Sequence, residues 1–433
     1  MTATPDHALS GETDATTTKT RTSSTENDVP APKGVDPAPR TGGPGQASTN
    51  PAPTYADDSD GPRSTSPPQR VTTAPTHTEN DDGQGPDSSP PVVISRPADT
   101  HGDAPSRRTI PLAGLAIAGV FAVVIATWLT APEEALGIPV PGILVDYGLP
   151  VTRLLLDLAA LATVGLSLLP KLLGFDDADR TEPIAARARH WAVMSALTWC
   201  AAALLATLLS AAEVMPGQIP DVGAYVETIG SGQGLIVSAS AALVSAAIGT
   251  LAIRFGEKVP AELRVLVAMF GLLPLPVTGH ASNWYWHDLS MVSMELHVIG
   301  ASAWTGGLLA ITLFLATNRS LLATTLPRFS RLATICLLLV SLSGLFNGIV
   351  ELLLTPTEPF PASLFTTGYG QLLLAKTTFA ATIALLAANI RWRLLPKITQ
   401  AHPTTFATWA ALELTIMGLA YGVAVALTRA PVA

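Results

Sequence analysis

Apolar and polar positions are segregated along this chain. From Ile110 onward, apolar runs of about twenty residues follow one another, with neither the alternation of a half-buried strand nor the single apolar stripe of a soluble helix. A bilayer core takes about 20 apolar helical residues to cross. Nine runs reach or approach that length, near 110–130, 149–170, 191–213, 234–254, 262–279, 289–316, 329–354, 366–390 and 404–427. The pattern predicts an all-α fold, a polytopic membrane helix bundle of about nine transmembrane helices. The fifth run is the weakest, because Pro274 and Pro276 interrupt it near its end, and prolines kink a membrane helix and free backbone carbonyls.

Composition extends this picture upstream. Residues 1–108 hold nearly half of the 36 prolines and a single aromatic residue, Tyr55. Too little apolar surface is present there to offset the entropy of ordering, so a disordered cytoplasmic tail rich in Pro, Thr, Ser and Asp is expected. The stretch from Met1 has no basic segment leading into an apolar core and does not read as a secretory signal. The net charge of −8 gives no basic excess, which argues against nucleic acid as a partner. Cys200 and Cys336 fall in different apolar runs and read as small packing residues, not as a disulfide or thiolate site.

Charge also orients the spans. Arg107 and Arg108 precede the first, and Lys171, Arg180, Arg187 and Arg189 separate the second from the third. Arg254, Lys258 and Arg264 follow the fourth, Arg319 and Arg328 the sixth, and Arg391, Arg393 and Lys397 the eighth. The alternate loops contain no Lys or Arg. By the positive-inside rule, nine spans place the N-terminus in the cytoplasm and the C-terminus outside.

Candidate chemistry concentrates in residues 279–307, GHASNWYWHDLSMVSMELHVIGASAWTGG. His280, His287 and His297 lie there with Met291, Met294, Asp288 and Glu295, all toward the outer face. Imidazole with thioether is a borderline-to-soft ligand set that favours copper, Cu(I) or Cu(II); simple packing between helices is the alternative for each residue. Ionisable groups inside the bilayer are a second signal, since each is costly unless paired or hydrated. Arg153 and Asp157 are four apart in the second span and share a helix face. Lys376 and Glu413 fall near the midplane, where either Lys376–Glu413 or Lys376–Asp157 pairing would neutralise charge. Glu413, Met417 and Tyr421 recur every four residues and form a stripe leading outward.

The run from His280 to Gly307 resembles the bacterial copper resistance protein D family of membrane copper-transport proteins. RFSRLATICLLLVSLSGLFNG at 328–348, TGYGQLLLAKTTF at 367–379, LELTIMGLAYGVAVAL at 412–427 and DYGLPVTRLLLDLAALATVGL at 146–166 extend the resemblance. It resembles actinobacterial-type members, here without the cytochrome oxidase assembly module that some carry. The resemblance implies copper handling at the cytoplasmic membrane, with His280, His287 and His297 as ligands.

The expected organisation is a tail at 1–108, N-terminal transmembrane helices 1–5 at 109–278, and a copper-resistance-type half with helices 6–9 at 279–433. The expected function is a multi-pass protein that takes copper from the outer face, with an extracytoplasmic copper-binding protein as its expected partner, and moves it inward. His280 and His287 would receive the ion, with His297, Met294 and Met291 beneath. Asp157, Arg153, Glu295, Lys376, Glu413 and Met417 would balance charge along the path. No GxxxxGK[ST] or DKTG motif occurs and no enzymatic constellation is evident. A membrane chaperone supplying an oxidase, and less favourably a haem protein, are the rival readings.

Overall fold

The structure, a computed structural model of the 433-residue chain, describes residues 104–131, 142–174, 177–278, 287–354, 359–400 and 405–430, giving only the backbone of 104–109, 277–278, 287 and 354. The tail expected at 1–108 falls outside the described residues but for its last five positions, and His280 falls outside them too. Among the described residues every regular element is helical. The elements are α1 (Ala104–Leu129), α2 (Ile143–Leu173), α3 (Ala178–Val214), α4 (Val222–Thr228), α5 (Gly230–Phe255), α6 (Ala261–Phe270), α7 (His287–Leu315), α8 (Arg319–Leu354), α9 (Ser363–Thr366), α10 (Gly368–Asn389), α11 (Leu395–Thr399) and α12 (Phe406–Leu427). The chain is a helical multi-pass membrane protein: eight helices, α1, α2, α3, α5, α7, α8, α10 with its continuation through α11, and α12, are long and apolar enough to cross a bilayer.

The difference from about nine lies in the fifth apolar run. There α6 is only ten residues long, which covers about 15 Å, half a bilayer core. After it the chain turns and continues as a 3-10 helix, Leu275–Thr278. Pro274 and Pro276 are the reason, since neither offers an N–H to continue an α-helical ladder. The segment nonetheless climbs along α5. Gly271 lies against Ala241, and a Cβ on Gly234 would sit 2.9 Å from the Pro274 carbonyl. The fifth run is therefore a broken helix packed lengthwise on an unbroken one.

Two helices run well past their apolar parts. The expected spans began at 191 and 329, whereas α3 begins at Ala178 and α8 at Arg319. Bilayer length selects the apolar part of a helix; the preceding ADRTEPIAARARH and RSLLATTLPR segments are polar but helix-compatible and continue it beyond. At this arginine-rich end Arg189 makes a two-pronged contact with Glu182, both N–O distances 2.8 Å, and reaches Glu257 at 2.6 Å. Arg264 meets the same Glu257 at 3.4 Å. Both arginine side chains are buried, so two carboxylates neutralise two buried cations, and Glu257, in the link between α5 and α6, touches both. Lys171 at the end of α2 holds Glu262 of α6 at 2.5 Å.

Glycines set the closest helix approaches. A Cβ on Gly165 of α2 would fall 2.0 Å from the Gly306 backbone of α7, and one on Gly306 would fall 2.0 Å from the Leu161 carbonyl. On α12, Gly418 and Gly422 meet the Leu115 and Gly119 carbonyls of α1, at 2.2 and 2.3 Å from their would-be Cβ atoms. Small residues spaced by four let backbones touch where lipid supplies no hydrophobic drive for association.

Two outcomes test this frame by thermal unfolding of purified protein. Gly306→Ala forces α2 from α7 by overpacking and is expected to cost about 1–3 kcal/mol. Glu257→Gln leaves two buried guanidiniums short of a counter-charge and is expected to cost about 2 kcal/mol. Substituting the exposed Leu385 by Ala is the control and should leave the midpoint unchanged.

Candidate metal site

One face of α7 carries Ser290, Ser293, His297 and Gly300 toward α8. Ser290 Oγ donates to Asn347 Oδ1 at 2.7 Å, and Asn347 Nδ2 donates to Ser293 Oγ at 3.0 Å. One turn further, His297 Nδ1 lies 3.1 Å from the Val340 carbonyl and 3.1 Å from Ser343 Oγ. Gly344 leaves room for the ring: a Cβ there would come within 3.0 Å of His297 Cε1. The polar stripe recurs at three- and four-residue spacings, the helical repeat.

The chemistry of His297 follows from these partners. A carbonyl oxygen only accepts, so Nδ1 carries the proton and Nε2 keeps its lone pair. A neutral imidazole fixed by Nδ1–H to a backbone carbonyl is how proteins commonly orient a metal-binding histidine. Ser343 and Asn347 were not identified as site residues in the sequence, although two polar residues one turn apart in the apolar run of α8 are a detectable signal.

The other expected site residues distribute as follows. Met291, Met294 and Glu295 are half-buried on α7, with Met294 one turn before His297. His287 opens α7, and its side chain lies outside the described residues together with His280. Among the described residues no three His, Cys, Asp or Glu side chains converge to hold a metal ion. The four-residue spacing on α2 brings Arg153 and Asp157 into electrostatic contact. Met417 is packed in the apolar core.

The expected ion pairs of Lys376 are not made among the described residues. Glu413 accepts from the Trp304 indole instead, and Lys376 of α10 acts electrostatically on His297. Facing residues, not depth alone, decide pairing: α12 presents Glu413 to α7. Two turns along the stripe, the buried Tyr421 hydroxyl approaches Ser302 and Thr305 without a well-aligned hydrogen bond, and Asp157 acts on it from α2. Glu413 and Trp304 also line a narrow cavity of about 40 Å³ that reaches Ser330 and Arg391 at the arginine-rich end.

The sequence of this bundle matches known families over two stretches. Residues 144–288 match the family model for the N-terminal domain of copper resistance protein D-like proteins, and residues 323–427 match that for copper resistance protein D. The chain belongs to the copper resistance protein D family and is a copper-related, multi-pass membrane protein. Over 129 residues, 28% of this chain, it is 33% identical to the copper transport protein CutJ of Bacillus subtilis (strain 168). The match covers 23% of that protein, so the chain spans about a quarter of the length of this curated relative. No solved structure matches the chain. The two matched regions leave residues 289–322 between them, so His297 lies outside both, whereas Val340, Ser343 and Asn347 lie within the second.

The helix pair makes a local prediction. Gly344→Ala pushes its methyl toward the imidazole, which must give by a few tenths of an ångström. Ser343→Ala removes one of the two Nδ1 contacts. Copper affinity of each purified variant, measured by competition with a chelator, is expected to fall by about tenfold, the cost typical of disturbing a ligand's support.

Proposed function

We propose that this protein binds copper at the outer face of the cytoplasmic membrane and carries it inward, as a transporter and not an enzyme. The observation that supports it most directly is His297, whose Nδ1 is engaged by the Val340 carbonyl so that Nε2 is available to a metal. Met294, one turn away, would supply a thioether, the pairing that suits copper. His280 and His287 would receive the ion at the surface, with Met291 between them and His297. The relative CutJ is named a copper transport protein, which supports the same class of cargo.

Inward passage follows the α7–α12 contact. Asp157, Glu413 and Glu295 would offset the charge of the ion, while Arg153 and Lys376 would limit how far an unescorted cation is stabilised there. Glu413 then opens on the narrow cavity toward Arg391. The orientation rests on the alternation of basic and uncharged loops. The broken α6 segment along α5 supports an odd number of crossings, with the N-terminus cytoplasmic and the C-terminus outside. An extracytoplasmic copper-binding protein as the donor fits an entry site on that face.

Copper uptake into proteoliposomes by the wild type and by His297→Ala tests the proposal. Uptake is expected to fall at least tenfold in the variant, with copper binding lost in parallel. Equal uptake by both proteins refutes the path through α7. Binding that depends on His297 without any uptake assigns the protein to copper delivery at the outer surface instead.

A further inference from the structure

Glu413 is the most deeply buried carboxyl among the described residues, 2% exposed, in the half of α12 nearer the arginine-rich end. Its side-chain partner there is the Trp304 indole, which donates to it. An indole N–H brings no positive charge. Among the described residues Glu413 enters no ion pair, whereas Asp157 has Arg153 beside it and Glu213 has Arg429.

The charged groups of each neighbouring helix are engaged elsewhere. Along α1, which packs against α12, no charged residue occurs from Ile110 to Leu129. On α2, Arg153 and Asp157 face each other. On α7, His297 is two turns away from Trp304 and turned to α8. On α8, Arg328 donates to the Leu172 and Leu173 carbonyls at 3.2 and 2.8 Å. On α10, Lys376 acts on His297. Its continuation holds Arg391, which donates to the Ser330 carbonyl at 3.2 Å and to the Thr334 hydroxyl. Arg331, Arg393 and Lys397 are exposed. Tyr421, on α12 itself, lies two turns outward.

What Glu413 does face is the narrow cavity of about 40 Å³ that runs to Ser330 and Arg391. A water occupies roughly 10–15 Å³ of such space, so about three fit. With Trp304, these three residues supply the polar side chains of the lining. A proton reaches a carboxyl through hydrogen-bonded water. A carboxylate enclosed by apolar groups without a counter-charge is strongly penalised, and taking up a proton removes the penalty.

We propose that Glu413 is a proton-binding site, loaded and unloaded through this cavity from the arginine-rich face. With the path empty, the carboxyl holds its proton. When a cation enters the α7–α12 contact, the O–H bond breaks and the proton leaves through the cavity. The carboxylate that stays behind is the counter-charge, and for a monovalent ion the exchange is neutral. The proton site stands on the surroundings of Glu413; its coupling to copper rests on the transport reading above.

Infrared difference spectroscopy of the full chain in lipid nanodiscs reads the proton directly. The carbonyl stretch of a protonated carboxylic acid is expected at neutral pH, shifted on transfer to D2O and lost in Glu413→Gln. Should that variant fail to fold, Trp304→Phe, which removes the indole donor, is expected to move the band to higher frequency. Ala387→Leu, which narrows the cavity, is expected to slow deuterium exchange of the band several-fold. A wild-type spectrum without the band, or a band unchanged in every folded variant, overturns the proposal. Copper uptake into proteoliposomes reads the coupling: wild-type uptake is expected to rise with pH and Glu413→Gln uptake to lose that dependence. Identical pH profiles refute the coupling. No wild-type uptake with the band intact refutes the transport reading and leaves the proton site standing.

Discussion

Backbone contact between α2 and α7 is the constraint on which the rest of this bundle depends. Gly165 and Gly306 meet so closely that a methyl on either would overlap the other helix. Within a bilayer, apolar side chains gain nothing by leaving lipid for protein, so close packing and interhelical hydrogen bonds must hold helices together. The crossing fixes α7 against α2 at the level of Trp304, whose indole reaches Glu413 on α12. It thereby sets the rotation of α7 that turns Ser290, Ser293 and His297 toward α8. Without that rotation His297 would face lipid or a different neighbour.

Polar groups inside the membrane are placed by this arrangement in three tiers. A polar cleft lies at one end, the imidazole and its serine and asparagine neighbours lie beneath that end, and carboxylates with a tyrosine lie near the middle. At the far end, Glu257 joins Arg189 and Arg264 and ties the broken α6 to α3. A helix broken half-way frees backbone groups that an intact one would satisfy internally. The ion cluster, with the Lys171–Glu262 contact, clamps the start of α6 where its own ladder is too short to anchor it.

Copper requires lone pairs on nitrogen and sulfur, which α7 presents. The family assignment rests on residues 144–288 and 323–427, and therefore on α2 through α6 and on most of α8 through α12. His297, the residue on which the proposed copper site centres, lies between those stretches, and only its partners on α8 fall inside them.

The sequence by itself determined that the chain is helical, multi-pass and asymmetric in loop charge, because those properties depend on length, hydropathy and local charge. It also singled out His297 and the ionisable Arg153, Asp157, Lys376 and Glu413, since an ionisable residue in an apolar run is visible without a fold. The tertiary structure alone decided which of these face one another: that Glu413 takes Trp304 and not Lys376, that Ser343 and Asn347 flank His297, and that Arg153 and Arg429 share a cleft. The physical reason is that core-facing and lipid-facing sides of a membrane helix are both apolar. Hydrophobic periodicity therefore carries little information about rotation, and glycine contacts and hydrogen bonds between distant segments supply it.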